Sequence, residues 1–234
     1  MGISMNVPNN LVRCLTFTSG TNVFVVGDIH GCYSILFKEL DKLGFNFQKD
    51  ILISVGDLID RGDENLECIT LLDYPWFHMI RGNHEEMCIL GRTDKSIRDM
   101  HSRNGGEWFY NLSEHQQQQI AQKFSELPVL IEINTGIKKI GFVHADVEIN
   151  DWELLKQDIQ KGNYSIPGVT SAYKNALWGR GRLRNYSYQY DVVTKIDEIY
   201  LGHTIVREPV QIDNCFYIDV GSFYTKKLFI KKVS

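Results

Sequence analysis

Val23-Phe24-Val25-Val26-Gly27-Asp28-Ile29-His30-Gly31 is the stretch on which the fold turns. Four apolar residues, β-branched or aromatic, have the length and composition of a buried strand, and they stop at a glycine followed at once by a carboxylate and an imidazole. Residues 33–43 then place Ile35, Leu36, Leu40 and Leu43 on one helical face, so the unit reads as strand, polar turn, helix. The unit recurs. Ile51-Leu52-Ile53-Ser54-Val55 runs into Gly56-Asp57-Leu58-Ile59-Asp60-Arg61-Gly62, a helix is expected over 65–72, and a third strand over 76–80 runs into Arg81-Gly82-Asn83-His84-Glu85. Such alternation predicts an α/β chain with parallel strand pairs.

Beyond these units, 114–126 and 151–160 have helical periodicity, and 129–134 with 139–143 read as paired strands around Thr135-Gly136. Stretches 199–202, 210–212, 216–220 and 227–231 are strand-like, which predicts a second sheet packed on the first with helices outside. No repeat, linker or composition shift marks a boundary, so residues 1–234 are expected to form a single catalytic domain.

At 234 residues and 43% hydrophobic the chain can bury a substantial core, and a net charge of -4 gives no field for holding nucleic acid or an anionic membrane. Cys14, Cys32, Cys68, Cys88 and Cys215 are odd in number and contain no Cys-x-x-Cys pair, which argues against a disulfide framework and a thiolate metal site. Residues 1–10 lack a secretory pattern, Asn6 stands where a myristoylation signal needs Ser or Thr, and no apolar run reaches the ~20 residues of a membrane span. A cytoplasmic protein with no membrane or nucleic-acid partner is expected.

The decisive feature is positional: each of the first three strands ends in an ionisable cluster, where α/β folds keep their sites. His144, after an apolar run and before Ala145-Asp146, and His203, in Gly202-His203-Thr204, extend the pattern, giving Asp28, His30, Asp57, Asn83, His144 and His203 as candidate metal ligands. Oxygen and imidazole donors without sulfur suit Mn²⁺, Fe or Zn²⁺, and six ligands can hold a pair of ions if one carboxylate bridges. Such a pair suits phosphoester hydrolysis by in-line attack of water. His84 is placed to protonate the leaving group, Asp60 to orient its imidazole, and Arg61 with a second arginine to clamp phosphate oxygens. Asp28 by itself also reads as a helix N-cap, and His144 and His203 as satisfied buried histidines; the ordered set favours ligation. His78, His101 and His115 lie outside these clusters and are expected at the surface or in packing; Trp76, Phe77, Trp108 and Phe109 are expected in the core, with Cys32 a small buried filler.

The segments Gly27 to Gly31, Gly56 to Gly62 and Gly82 to Glu85 resemble the GDxHG, GDxxDRG and GNHE motifs of the PPP family of metallophosphoesterases. With Tyr74-Pro75-Trp76-Phe77 and Gly105-Gly106-Glu107-Trp108-Phe109, the chain is similar to the phage lambda-type bacterial serine/threonine protein phosphatases of that family over residues 24–221. The resemblance implies the metallophosphoesterase (calcineurin-like) fold, two mixed sheets packed as a sandwich with flanking helices. It implies that Asp28, His30 and Asp57 hold one ion while Asp57, Asn83, His144 and His203 hold the other, with Asp57 and a solvent species bridging and Mn²⁺ as the activating ion. His84 and Asp60 then match the family's acid and its partner, Arg61 one phosphate clamp, and Arg180 the second, with Arg182 its rival and Arg81 a substrate-side or supporting residue. The implied activity is hydrolysis of phosphoserine and phosphothreonine in proteins or peptides, with phosphotyrosine tolerance and no obligate regulatory subunit. Hydrolysis of dinucleoside polyphosphates and a non-catalytic metal-binding role stand as alternatives, the first disfavoured by Asp60 and the second by the retention of His84 and the arginines.

Overall fold

The computed structural model describes residues 11–17, 20–162, 171–184 and 190–234. The N-terminal stretch 1–10 and residues 163–170 lie outside these. Among the described residues ten strands occur in chain order: β1 Val12–Leu15, β2 Val23–Val26, β3 Ile51–Ser54, β4 Phe77–Met79, β5 Leu130–Asn134, β6 Lys139–Val143, β7 Glu198–Leu201, β8 Val210–Ile212, β9 Cys215–Tyr217 and β10 Ile230–Lys232. They form two sheets, of order β1-β5-β6-β7-β9-β8 and β10-β2-β3-β4. Both are mixed. β2, β3 and β4 run parallel with β10 antiparallel on their edge, while the larger sheet joins parallel pairs to the β5–β6 and β8–β9 hairpins.

Period-two alternation along the strands assigns every side chain to a layer. On β2, Val23 and Val25 face the larger sheet, together with Ile53, Ile131, Ile133, Ile140, Phe142 and Tyr200. Phe24 and Val26 face the other way, into a core shared with Leu36 and Leu40 of helix Tyr33–Lys42 and Phe124 of helix Glu114–Ser125. Beyond the larger sheet, Leu130, Val143, Ile199 and Leu201 pack with Trp152, Leu155 and Ile159 of helix Trp152–Gln160 and with Ala176 and Leu177 of helix Ala172–Trp178. Four layers result, helix, sheet, sheet, helix, because each strand carries apolar residues on both faces. Trp152 lies against Gly141, where a β-carbon would strike its ring, and its indole N–H donates to the Glu132 carboxylate at 2.7 Å.

Helix starts follow local chemistry. Ser113 and Gln116 form a reciprocal capping box, and Asp94 and Asp151 accept backbone N–H groups of the helices they precede. The helix expected over 65–72 stops at Thr70 and tightens into a 3₁₀ turn at Leu71–Asp73, and Leu43, expected on the buried face, is an exposed C-cap.

Larger departures come from long-range pairing. The last strand, expected with the second sheet, pairs instead with β2, Ile230 opposite Val26, and covers the free edge of the first. Its Lys231 lays its ammonium over the Phe216 ring at 4.7 Å and donates to the Tyr200 hydroxyl. No helix among the described residues is long and apolar enough to cross a membrane. Because Phe142 fills the space between the sheets at 0% exposure, Phe142→Ala is expected to cost about 3–5 kcal/mol in urea unfolding, and a loss below about 1 kcal/mol would place the core elsewhere.

Candidate metal centre

All three clusters lie at the C-terminal ends of β2, β3 and β4, and parallel pairing brings those ends side by side. The turns that carry them depart from ordinary backbone. His30, Asp57, Asp60, Arg61 and His203 have φ between 47° and 74°, in the left-handed region that L-residues avoid. Bonds across the turns hold them there: the His30 N–H donates to the Asp57 carbonyl at 2.9 Å, the Gly31 N–H to the Leu58 carbonyl at 2.9 Å, and the buried Glu85 carboxylate accepts the N–H groups of Asp57, Leu58 and Gly82. Glu85 is pushed up to about 7 by burial and then by Asp57. Two glycines are required by closeness. A β-carbon at Gly82 would collide with the Asp57 carboxylate, and one at Gly202 with that of Asp28.

Asp57 is the centre. Its Oδ2 lies 3.6 Å from His30 Nε2, its Oδ1 lies 3.3 Å from His144 Nε2, and the His84 backbone N–H donates to Oδ1 at 3.1 Å. The two oxygens thus face two different nitrogen groups. Donor atoms of His30, Asp57 and His84 fall within 4.8 Å of one another, and so do those of Asp57, His144 and His203. The Asn83 amide oxygen lies 2.9 Å from His144 Nε2 and 2.8 Å from His203 Nδ1.

Polar groups here want a cation. His144 Nδ1 lies 2.7 Å from the Val55 carbonyl and His30 Nδ1 lies 2.8 Å from that of Ile59, so each donates there and leaves its Nε2 with a lone pair. In that neutral form His144 Nε2 confronts the Asn83 oxygen, acceptor against acceptor, a contact that a positive ion resolves; without an ion a proton takes that place, since burial lowers His144 but Asp57 more than offsets it and holds the imidazole above its ordinary value. Asp28 Oδ1, Asp219 Oδ2 and His203 Nε2 are buried without a hydrogen-bond partner. Burial raises the Asp28 carboxyl, and Asp219 and Asp57 raise it further. Burial would raise Asp57 too, yet His144, His84 and His30 outweigh that and hold it well below the usual range. Burial and then His84 pull His30 down to about 3, which keeps it neutral and fit to ligate. Crowded carboxylates, imidazoles and orphaned acceptors form a donor set that fits divalent ions.

Beside the donors, His84 Nδ1 meets Asp60 Oδ2 at 2.6 Å. Burial lowers His84, but Asp57 and the Asp60 bond more than offset it, so the imidazole is held above its ordinary value. Arg61 lies 2.9 Å from His30 Nε2 and 3.1 Å from His84 Nε2, with its guanidinium over the Phe223 ring at 5.0 Å. Arg180 is half-buried, and its pKa is lowered first by burial and then by the Arg184 and Arg61 charges, which places it within electrostatic reach of Arg61.

Two arginines turn away. Arg81, expected as a substrate-side phosphate binder or a supporting residue, takes the supporting place: it is 4% exposed and spends its donors on Glu86, Tyr173 and the carbonyls of Ser125 and Leu127. Arg182, the rival second clamp, is buried against Val147, Asn150 and Asp191. His101, expected at the surface or in packing, is fully buried and bonded to Asp60, and Trp108, expected in the core, donates to the other Asp60 oxygen. Asp219 was not singled out in the sequence because nothing near it but Gly221 marks a turn. His115 is exposed, His78 is in β4 against Phe17, and Trp76 packs among Phe37, Phe45 and Phe47, all as expected.

Two adjoining clusters of buried oxygen and imidazole donors at strand ends, with a paired imidazole and arginines beside them, define a metallohydrolase-type centre. The calcineurin-like phosphoesterase family model matches residues 21–207, and the chain belongs to that family. Serine/threonine-protein phosphatase 2 of Salmonella typhimurium is 37% identical to it, covering 91% of this chain and 93% of the relative. Serine/threonine-protein phosphatase 1 of the same organism is 32% identical, covering 97% and 98%. A bis(5'-nucleosyl)-tetraphosphatase (asymmetrical) of Oceanobacillus iheyensis is 26% identical, covering 87% and 85%.

Divalent metal at about 100 times its Kd is expected to stabilise the protein by about 2.7 kcal/mol, read as a chelator-reversible rise in melting temperature. Asp57→Asn should abolish that rise; a variant that responds as fully as wild type would remove Asp57 from a shared position between ions.

Proposed function

We propose that the protein is a metal-dependent phosphatase that hydrolyses phosphoserine and phosphothreonine monoesters in proteins or peptides. The observation that carries this reading is the Asp60–His84 pair, 2.6 Å apart and buried beside the donor cluster. Asp28, His30 and Asp57 hold one ion in this reading, and Asp57, Asn83, His144 and His203 the other; Mn²⁺ suits the donor set, as do Fe and Zn²⁺. Bound ions supply Lewis acidity toward the phosphoryl oxygens and an activated water. The chain's own residues supply the rest.

Arg61 and Arg180 grip the phosphoryl oxygens; Arg61 is exposed with its guanidinium over Phe223, and turning its donors from His84 Nε2 to the substrate leaves that nitrogen free to carry a proton. Water oxygen bonds to phosphorus as the ester P–O bond breaks, and the departing serine or threonine oxygen needs a proton. His84, held above its ordinary value and oriented through Nδ1 by Asp60, gives that proton from Nε2, 3.8 Å from Asp57 Oδ2. A dinucleoside polyphosphate leaves as a stable phosphate anion and has less need of such an acid, so the Asp60–His84 pair speaks for monoesters. The names and identities of the relatives lean the same way.

Wild-type protein with Mn²⁺ should release phosphate from a phosphoserine peptide faster than it cleaves diadenosine tetraphosphate; the reverse order would transfer the reading to nucleotides. His84→Asn should keep its metal and lose roughly 10²–10⁴-fold in kcat on the peptide, and near-normal turnover would remove His84 as the acid.

A further inference from the structure

Asp60 is fully buried, and it accepts more than the one bond its partnership with His84 requires. Oδ2 takes His84 Nδ1 at 2.6 Å and also His101 Nε2 at 2.7 Å, while Oδ1 takes the indole N–H of Trp108 at 2.8 Å. On its far side, His101 Nδ1 lies 2.9 Å from the Tyr110 hydroxyl. Asp60, a carboxylate held well below its usual range, can only accept, so both imidazoles donate to it. His101 Nε2 therefore carries its hydrogen, and the Tyr110 hydroxyl donates to Nδ1. The chain of bonds has one consistent direction, from Tyr110 through His101 to Asp60.

The segment that delivers these groups is built to sit there. Helix Lys95–His101 passes into a wide turn over Ser102–Gly106 and re-enters helix at Glu107–Tyr110. Gly105 takes φ 98°, and a β-carbon there would lie 2.7 Å from the Arg61 backbone nitrogen; one at Gly106 would strike the His101 ring. The two glycines let the turn close directly on Asp60 and Arg61. With both of its oxygens held by donors from fixed positions, the Asp60 carboxylate is kept from rotating, and the His84 ring it anchors is kept from swinging.

We propose that His101 and Trp108, backed by Tyr110, are positioning residues that clasp the Asp60 carboxylate and thereby hold the His84 imidazole in line with the departing oxygen. Neither touches substrate, and the inference rests on the phosphatase reading given above, in which His84 protonates that oxygen. The clasp should matter in proportion to how much the leaving group needs its proton. A serine alkoxide needs it badly, whereas p-nitrophenolate leaves as a stable anion.

The test compares kcat and KM of wild type, His101→Leu, His101→Gln and Trp108→Phe on a phosphoserine peptide and on p-nitrophenyl phosphate, with Mn²⁺ content and melting temperature measured for each. His101→Leu and Trp108→Phe should lose ~10–100-fold in kcat on the peptide with KM little changed, and about an order of magnitude less on p-nitrophenyl phosphate. His101→Gln, whose amide can donate to Asp60, should recover most of the loss. In a His84→Asn background, His101→Leu should add nothing. Equal losses on both substrates, losses that track metal content, or no loss would overturn the clasp while wild-type turnover leaves the phosphatase reading standing. Trp108→Phe keeps the ring and so carries the same comparison if His101→Leu does not fold. A wild type that turns over neither substrate would overturn the phosphatase reading, and the clasp with it.

Discussion

Mutual repulsion among buried carboxylates sets the terms for the rest of the molecule. Asp28, Asp57 and Asp219 are each about 1% exposed, and each raises the energy of charging a neighbour. A protein that needed only stability would fill such a place with apolar side chains. Here the surrounding backbone is bent to bring the acids together: left-handed residues at the strand ends, glycines without room for a β-carbon, and a buried Glu85 that ties the second and third turns. The opposing charge is what makes the arrangement tolerable, whether it comes from Arg61, from protonated imidazole or from bound ions.

Rigid support explains why this concentration of strain survives. The turns hang from three parallel strands buried on both faces, so none of them can relax without shifting a close-packed layer. The β5–β6 hairpin brings His144 to the same edge, and its ring is fixed through the Val55 carbonyl, at the end of β3. The larger sheet thus contributes a donor that is oriented by the smaller one.

Local chemistry made the first three units readable. Short runs of β-branched and aromatic residues mark strands, and a glycine before Asp28, Asp57 and Asn83 marks the turn, because a strand that must end in a sharp bend near a polar group has few residues to choose from. The ligand candidates His144 and His203 were legible for the same reason, each directly after an apolar run. What escaped is what depends on distant partners. Nothing near Arg81 tells that Glu86 and Tyr173 will claim it, and nothing near His101 tells that Asp60 waits 41 residues upstream. The edge chosen by β10 is of the same kind: its residues suit either sheet, and pairing was decided by which edge stood open.

That edge has a kinetic consequence. The strand that leads to Asp28 lies early in the chain, yet its neighbour on the open side is Ile230–Lys232, and His203 also donates its backbone N–H to Asp28 at 2.9 Å. Contacts of such sequence separation close late, after the entropy of a long intervening loop has been overcome. The Asp28 carboxylate therefore gains its His203 bond, and β2 its outer neighbour, only when the two ends of the sequence meet.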